Sequence, residues 1–179
     1  GFNQLFLVRA WLYISIGMSF LSCSDDEVLV SPGGNWNNRN SSVLNKNIAQ
    51  KEEVNIDLYL EMRPKWQMQK TGSGLRHWIY TSGLGDSIVS GDIAEVEYSV
   101  ELLDGTKCYE TAADEYKEIF IDQSEFETGL QEGIKLLRIG DQAKFIIPSH
   151  IAHGLLGDLN KIPPLRTLVI DLTLLGKTR

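Results

Sequence analysis

The 179-residue sequence is short of the residues that mark several common protein classes. It has two cysteines, Cys23 and Cys108, so at most one disulfide is open to it and no disulfide framework is indicated. It has no run of Lys or Arg, and 17 basic residues stand against 24 acidic ones, a net charge of −7. Nucleic-acid binding usually shows a basic face, so this balance argues against it. Acidity alone names no partner. No apolar run reaches the roughly 20 residues that a spanning helix needs. Histidine is scarce too: His150 and His153 are three apart, but no nearby Cys or further His completes a metal site. What is there is an ordinary globular balance, 42% hydrophobic and 23% charged, on a length that allows one domain with appendages.

The first residue is Gly1 rather than Met, and the start is read as incomplete or edited. Arg9 is the only charge before Asp25, and an apolar stretch runs from Ala10 to Cys23. A short apolar segment behind a positive charge, ending in small residues, fits a signal peptide over residues 1–22. Phe20-Leu21-Ser22-Cys23 resembles a bacterial lipobox, although Leu21 is larger than usual at its position. The resemblance implies cleavage before Cys23 and lipidation of its thiol. Asp25-Asp26-Glu27 follows, similar to the surface-export signal of lipoproteins in the Bacteroidetes; a solvated acidic linker is the plain alternative. The expected location is the cell envelope, lipid-anchored, at the outer membrane.

Residues 23–47 are expected to form a flexible tether, because Ser31 to Asn47 is rich in Asn, Ser and Gly and lacks periodicity. Residues 48–70 are a helical extension: Ile48, Ile56, Tyr59 and Leu60 fall on one face, and Pro64 breaks the helix near Arg63. This helix is expected to pack on its own domain, with Trp66 and Met68 docking beside it.

The remaining domain, residues 71–179, alternates. Ile93 to Leu103 is the clearest strand, with Ala94, Val96, Tyr98, Val100 and Leu102 on one face and Glu95, Glu97, Ser99 and Glu101 on the other. Asp104-Gly105 signals a hairpin. Further strands are expected at Trp78 to Thr81, Thr106 to Thr111, Lys117 to Ile121, Gln142 to Pro148 and Leu165 to Leu175. A short helix presents Leu130, Ile134 and Leu137, with Ser124–Glu127 and Thr128–Gln131 as overlapping capping-box candidates. The sum is an α+β fold: a bent antiparallel sheet of five to six strands wrapped around one short helix.

The order of these motifs resembles the FKBP-type peptidyl-prolyl cis-trans isomerases. Val96-Glu97-Tyr98-Ser99 and Leu103-Asp104-Gly105 look like the family's strand and hairpin, and Gly129-Leu130-Gln131-Glu132-Gly133 like its helix. Gly140 to Pro148, Ala152-His153-Gly154, Ile162-Pro163-Pro164 and Leu168 to Asp171 continue the series. The likeness covers about residues 71 to 177. It implies isomerisation of Xaa-Pro bonds in proline-containing polypeptide clients, with no metal, cofactor or nucleophile. The barrier is amide resonance, roughly 18–20 kcal/mol, and a dry apolar pocket favours the twisted amide over the planar one.

By the same resemblance, Tyr98 and Ile162 keep family-like residues. Ile170 stands where Phe is common, and Leu130 where the floor has Trp. His153 replaces a Tyr that donates a hydrogen bond, and Phe126-Glu127 replace a Val-Ile pair. The family's Phe-Asp after the hairpin falls on Cys108-Tyr109 without a gap, or on Tyr109-Glu110 with a one-residue bulge. These are incompatible pockets, because a one-residue slip swaps sheet faces. The lost rings imply weaker catalysis, or a binding module serving an envelope protein complex.

Overall fold

The computed structural model describes residues 38–123 and 128–179. The signal segment, Cys23, the acidic run after it, Phe126, Glu127 and the Ser124–Glu127 cap lie outside the described residues.

Among the described residues seven strands form one antiparallel sheet: β1 (Gln69–Lys70), β2 (Arg76–Thr81), β3 (Ile93–Leu102), β4 (Lys107–Glu110), β5 (Lys117–Phe120), β6 (Gln142–Ile147) and β7 (Leu168–Thr178). Their order is β1-β2-β6-β7-β3-β4, and β5 also pairs with β3. The long strand β3 thus meets β7 along its whole length and shares its other edge between β4 and β5. The two-residue β1 brings the count above the five or six expected. Its residues carry no apolar alternation, and it forms because the Thr71–Gly74 turn folds Gln69 back onto His77.

Alternation in β3 sorts its side chains as expected: Ala94, Val96, Val100 and Leu102 are buried, Tyr98 is half-buried and Glu97 is exposed. Leu168, Ile170, Leu172 and Leu174 of β7 and Ala143, Phe145 and Ile147 of β6 join them on the inner face. Helix α2 (Thr128–Ile134) covers that face with Leu130 and Ile134. It can lie close because Gly133 has no side chain: a Cβ there would stand 2.8 Å from the Phe145 ring. Gln131 is buried in α2, and its side-chain oxygen accepts the Asp122 N–H at 2.7 Å.

The outer face is not wholly wet. Helix α1 (Asn38–Glu61) lays Ile56 and Tyr59 on Ile146 and Val169, a cross-strand pair of β6 and β7, with Leu60, Trp66 and Met68 alongside. Arg76, buried in β2, donates to Glu53 and, at 3.1 Å, to Asp57 of α1. The helix ends before Pro64, as expected. It begins at Asn38, however, so residues 38–47 of the expected tether are helical. Ser42 to Asn47 are exposed, which is why no apolar period marks them. Once a packed turn nucleates a helix, each added residue costs little.

Candidate active site

The site lies where α2, the β3–β4 hairpin and the β6–β7 connection meet. Leu130 of α2, Ile170 of β7 and Ile162 of the connection are each at most 2% exposed and belong to one apolar cluster. Tyr98, Tyr109, Ile151 and Ala152 are half-buried and pack against that cluster. Tyr98 is fixed through its backbone: its N–H donates to the Thr111 hydroxyl at 3.1 Å, and its carbonyl accepts the Thr111 N–H at 2.9 Å.

The register of β4 decides which residues face this cluster. Val100 pairs with Tyr109 but Glu101 pairs with Lys107, so Cys108 is an extra residue in the strand. A bulge sets two residues against one and re-aims side chains. Cys108 is buried, Tyr109 packs on the core beside it, and Glu110 is exposed. Burial pushes the Cys108 thiol pKa up, and the Asp158 and Asp104 charges add to this, so the thiol stays protonated.

The acid beside Tyr109 is Asp158, which the sequence did not single out. The Tyr109 hydroxyl donates to Asp158 Oδ2, while Oδ1 accepts the Ile162 N–H at 2.7 Å and the Asn160 N–H at 2.9 Å. Asn160 Nδ2 donates back to the Tyr109 oxygen at 3.3 Å, and the Lys161 ammonium sits 5.0 Å from the ring centroid. Burial opposes ionisation of Asp158, but the Tyr109 bond, the two amides and the nearby His153 charge outweigh it. Its pKa falls below the ordinary value. The same contact raises that of Tyr109. His153 belongs to the same β6–β7 connection as Asp158. His150 does not join the Tyr109–Asp158 pair, since its Nε2 meets the Ser73 carbonyl at 2.9 Å.

This connection runs through two tight turns. Its first residues form a 3-10 turn at Ser149–Ile151, and Gly157 then takes φ +66° with its backbone against Ile162 and Pro163. No sequence signal marks Asp158, because its role depends on where Leu159 (φ 60°) turns the chain back.

The profile of the FKBP-type peptidyl-prolyl cis-trans isomerases matches residues 85–175. The chain belongs to this family. The FKBP match spans β3 to β7 and therefore every site residue named above. Among curated relatives, a probable FKBP-type peptidyl-prolyl cis-trans isomerase FkpA of Neisseria meningitidis serogroup B is 36% identical over 107 residues, which is 60% of this chain and 39% of that protein. The Aeromonas hydrophila FkpA is 32% identical over 109 residues, 61% of this chain and 40% of that one. The chain thus spans about two fifths of the length of these relatives. The crystal structure of FkpA from Escherichia coli superposes with a TM-score of 0.64 at 25% identity, covering 77% of this chain and 64% of that one. A peptidyl-prolyl cis-trans isomerase from Pseudomonas syringae gives the same TM-score at 19% identity, covering 75% of this chain and 96% of the other, a likeness of fold.

Proposed function

We propose that this FKBP chain catalyses cis-trans isomerisation of Xaa-Pro bonds in exported polypeptides. The observation that carries the reading is the dry floor of Leu130, Ile162 and Ile170 flanked by Tyr98 and Tyr109. A prolyl ring on that floor leaves water, and loss of amide resonance is easier where the charge-separated planar form is poorly solvated. His153 holds the position from which an N–H donates to a ligand carbonyl. Polypeptide clients fit the rim, where Leu155, Leu156 and Leu159 are 66%, 72% and 87% exposed beside the pocket. The signal segment and Cys23 extend the proposal to a lipid-anchored protein of the outer membrane. Its test is whether Cys23→Ser shifts the protein out of the membrane fraction. Among the described residues no helix is long and apolar enough to cross a membrane.

A second reading is a binding module serving an envelope protein complex. Leu130 and Ile170 favour it, because aliphatic residues there give a shallower cleft than rings. Rates of prolyl isomerisation by the full chain, on short peptides that vary the residue before proline, separate the two. Uncatalysed isomerisation takes tens to hundreds of seconds, so acceleration that depends on that residue supports the enzyme. No acceleration by folded protein supports the binding module.

A further inference from the structure

Helix α1 lies outside the family match at residues 85–175, yet one of its side chains reaches the segment that carries the pocket rim. Glu52 Oε1 accepts the Ser149 N–H at 2.7 Å and the Thr167 hydroxyl at 2.6 Å, and Oε2 accepts the Ser149 hydroxyl at 2.9 Å. Ser149 and Thr167 are the two ends of the β6–β7 connection, and both are buried. Backbone bonds close a ring between them. The Ser149 carbonyl accepts the Ala152 N–H at 3.1 Å and the Gly154 N–H at 2.8 Å, and the Gly154 carbonyl accepts the Leu165 N–H at 2.9 Å. His153 sits inside that ring, between two residues whose amides both bind Ser149.

Docking of α1 does not require Glu52. Ile56, Tyr59 and the Arg76 contacts with Glu53 and Asp57 already hold the helix to the sheet. The Ser149 and Thr167 hydroxyls can turn toward other acceptors, but the Ser149 N–H is fixed by the backbone. Without Glu52 it is a buried donor lacking its partner, which is strongly unfavourable, so the connection must shift or admit water.

We propose that Glu52 is a positioning residue: it ties both ends of the connection and so sets the place of His153, Asp158 and Ile162 in the pocket. The kinetic half of this proposal rests on the isomerase reading, whereas the structural half stands without it. The test compares Glu52→Ala and Glu52→Gln with the parent full chain, by amide hydrogen exchange and by peptide isomerisation. In Glu52→Ala, exchange at Ser149 and across residues 152–165 quickens at least about ten-fold, while amides of β3 and β7 keep the parent rate. KM for Xaa-Pro peptides rises about ten-fold with kcat changed much less. Glu52→Gln restores most of both, because its amide oxygen can hold both loop ends and its NH2 can donate to the Ser149 hydroxyl.

Parent-like exchange in Glu52→Ala overturns the proposal, and so does a Gln variant as impaired as the Ala variant. If Glu52→Ala does not fold, Thr167→Val releases one end alone. Quickened exchange at Leu165 with β3 unchanged then supports the tie, and unchanged exchange at Leu165 refutes it. A parent chain without isomerase activity sinks the isomerase reading, and the exchange data still decide the tie.

Discussion

Leu130 and Ile170 on the proposed pocket floor are buried by a helix and a sheet, whereas Tyr109 and His153, assigned to its rim, are placed by a bulge and a loop. The floor is shared apolar packing: α2 presses on Phe145 through Gly133, and β6, β7 and β3 supply the surrounding side chains. The rim depends on single polar atoms, such as Asp158 Oδ1 with two amides and Glu52 Oε1 with two donors. Floor changes should therefore act on stability and activity together, and rim changes chiefly on activity.

The largest effect is expected on the floor. Phe145→Ala opens a cavity under Gly133 and costs about 3–5 kcal/mol of stability, measured by urea unfolding. A loss under about 1 kcal/mol would mean that α2 and the sheet repack easily. Next comes the rim. Gly157→Ala places a methyl 2.2 Å from the Ile162 carbonyl oxygen at a left-handed φ. The loop must move, so isomerisation falls at least about ten-fold while stability falls by only about 1–2 kcal/mol, less than at Phe145. An equal fall in stability would erase the distinction between rim and floor.

A smaller effect is expected at the acid. Asp158→Asn weakens three hydrogen bonds and lowers kcat/KM about three- to ten-fold. Because Asp158 raises the Tyr109 pKa, the variant should bring that phenol back down toward its ordinary value, read by ultraviolet titration. The smallest effect on activity lies at Asp92, at the start of β3 and away from both parts of the site. It is buried, accepting the Val89 N–H at 3.0 Å and the Lys177 ammonium at 3.2 Å, with Arg179 at 3.4 Å. The Val89 bond leads these in holding its carboxyl below the ordinary range. A depressed folded pKa contributes stability above the unfolded value of about 3.9, and that contribution is lost as pH falls through the folded value. Asp92→Asn should lower stability at pH 7, flatten that acid limb and leave isomerisation per folded molecule unchanged.

The same contrast explains what was legible in the sequence. The floor could be read because burial on one face leaves a period of two in β3 and β7 and places Leu130 and Ile134 together on α2. The outer-face pair Ile146 and Val169 was not singled out, since a strand's own pattern does not announce the helix that will cover it. The early part of α1 was hidden for the opposite reason, since Ser42 to Asn47 are exposed and bury no face. At Cys108 two registers were open; the structure carries a bulge there, buries Cys108, half-buries Tyr109 and exposes Glu110, with Asp158 rather than Glu110 beside Tyr109. Asp158 and Glu52 left no signal because each acts across a long sequence separation, through one carboxylate.

The most direct test compares the full chain with its Tyr98→Phe/His153→Ala double variant in catalysis of Xaa-Pro isomerisation, at matched folded fraction. The account predicts that the parent accelerates the reaction and that the double variant loses at least about ten-fold in kcat/KM, with its unfolding midpoint nearly unchanged. A double variant that keeps full activity would contradict this assignment of the pocket.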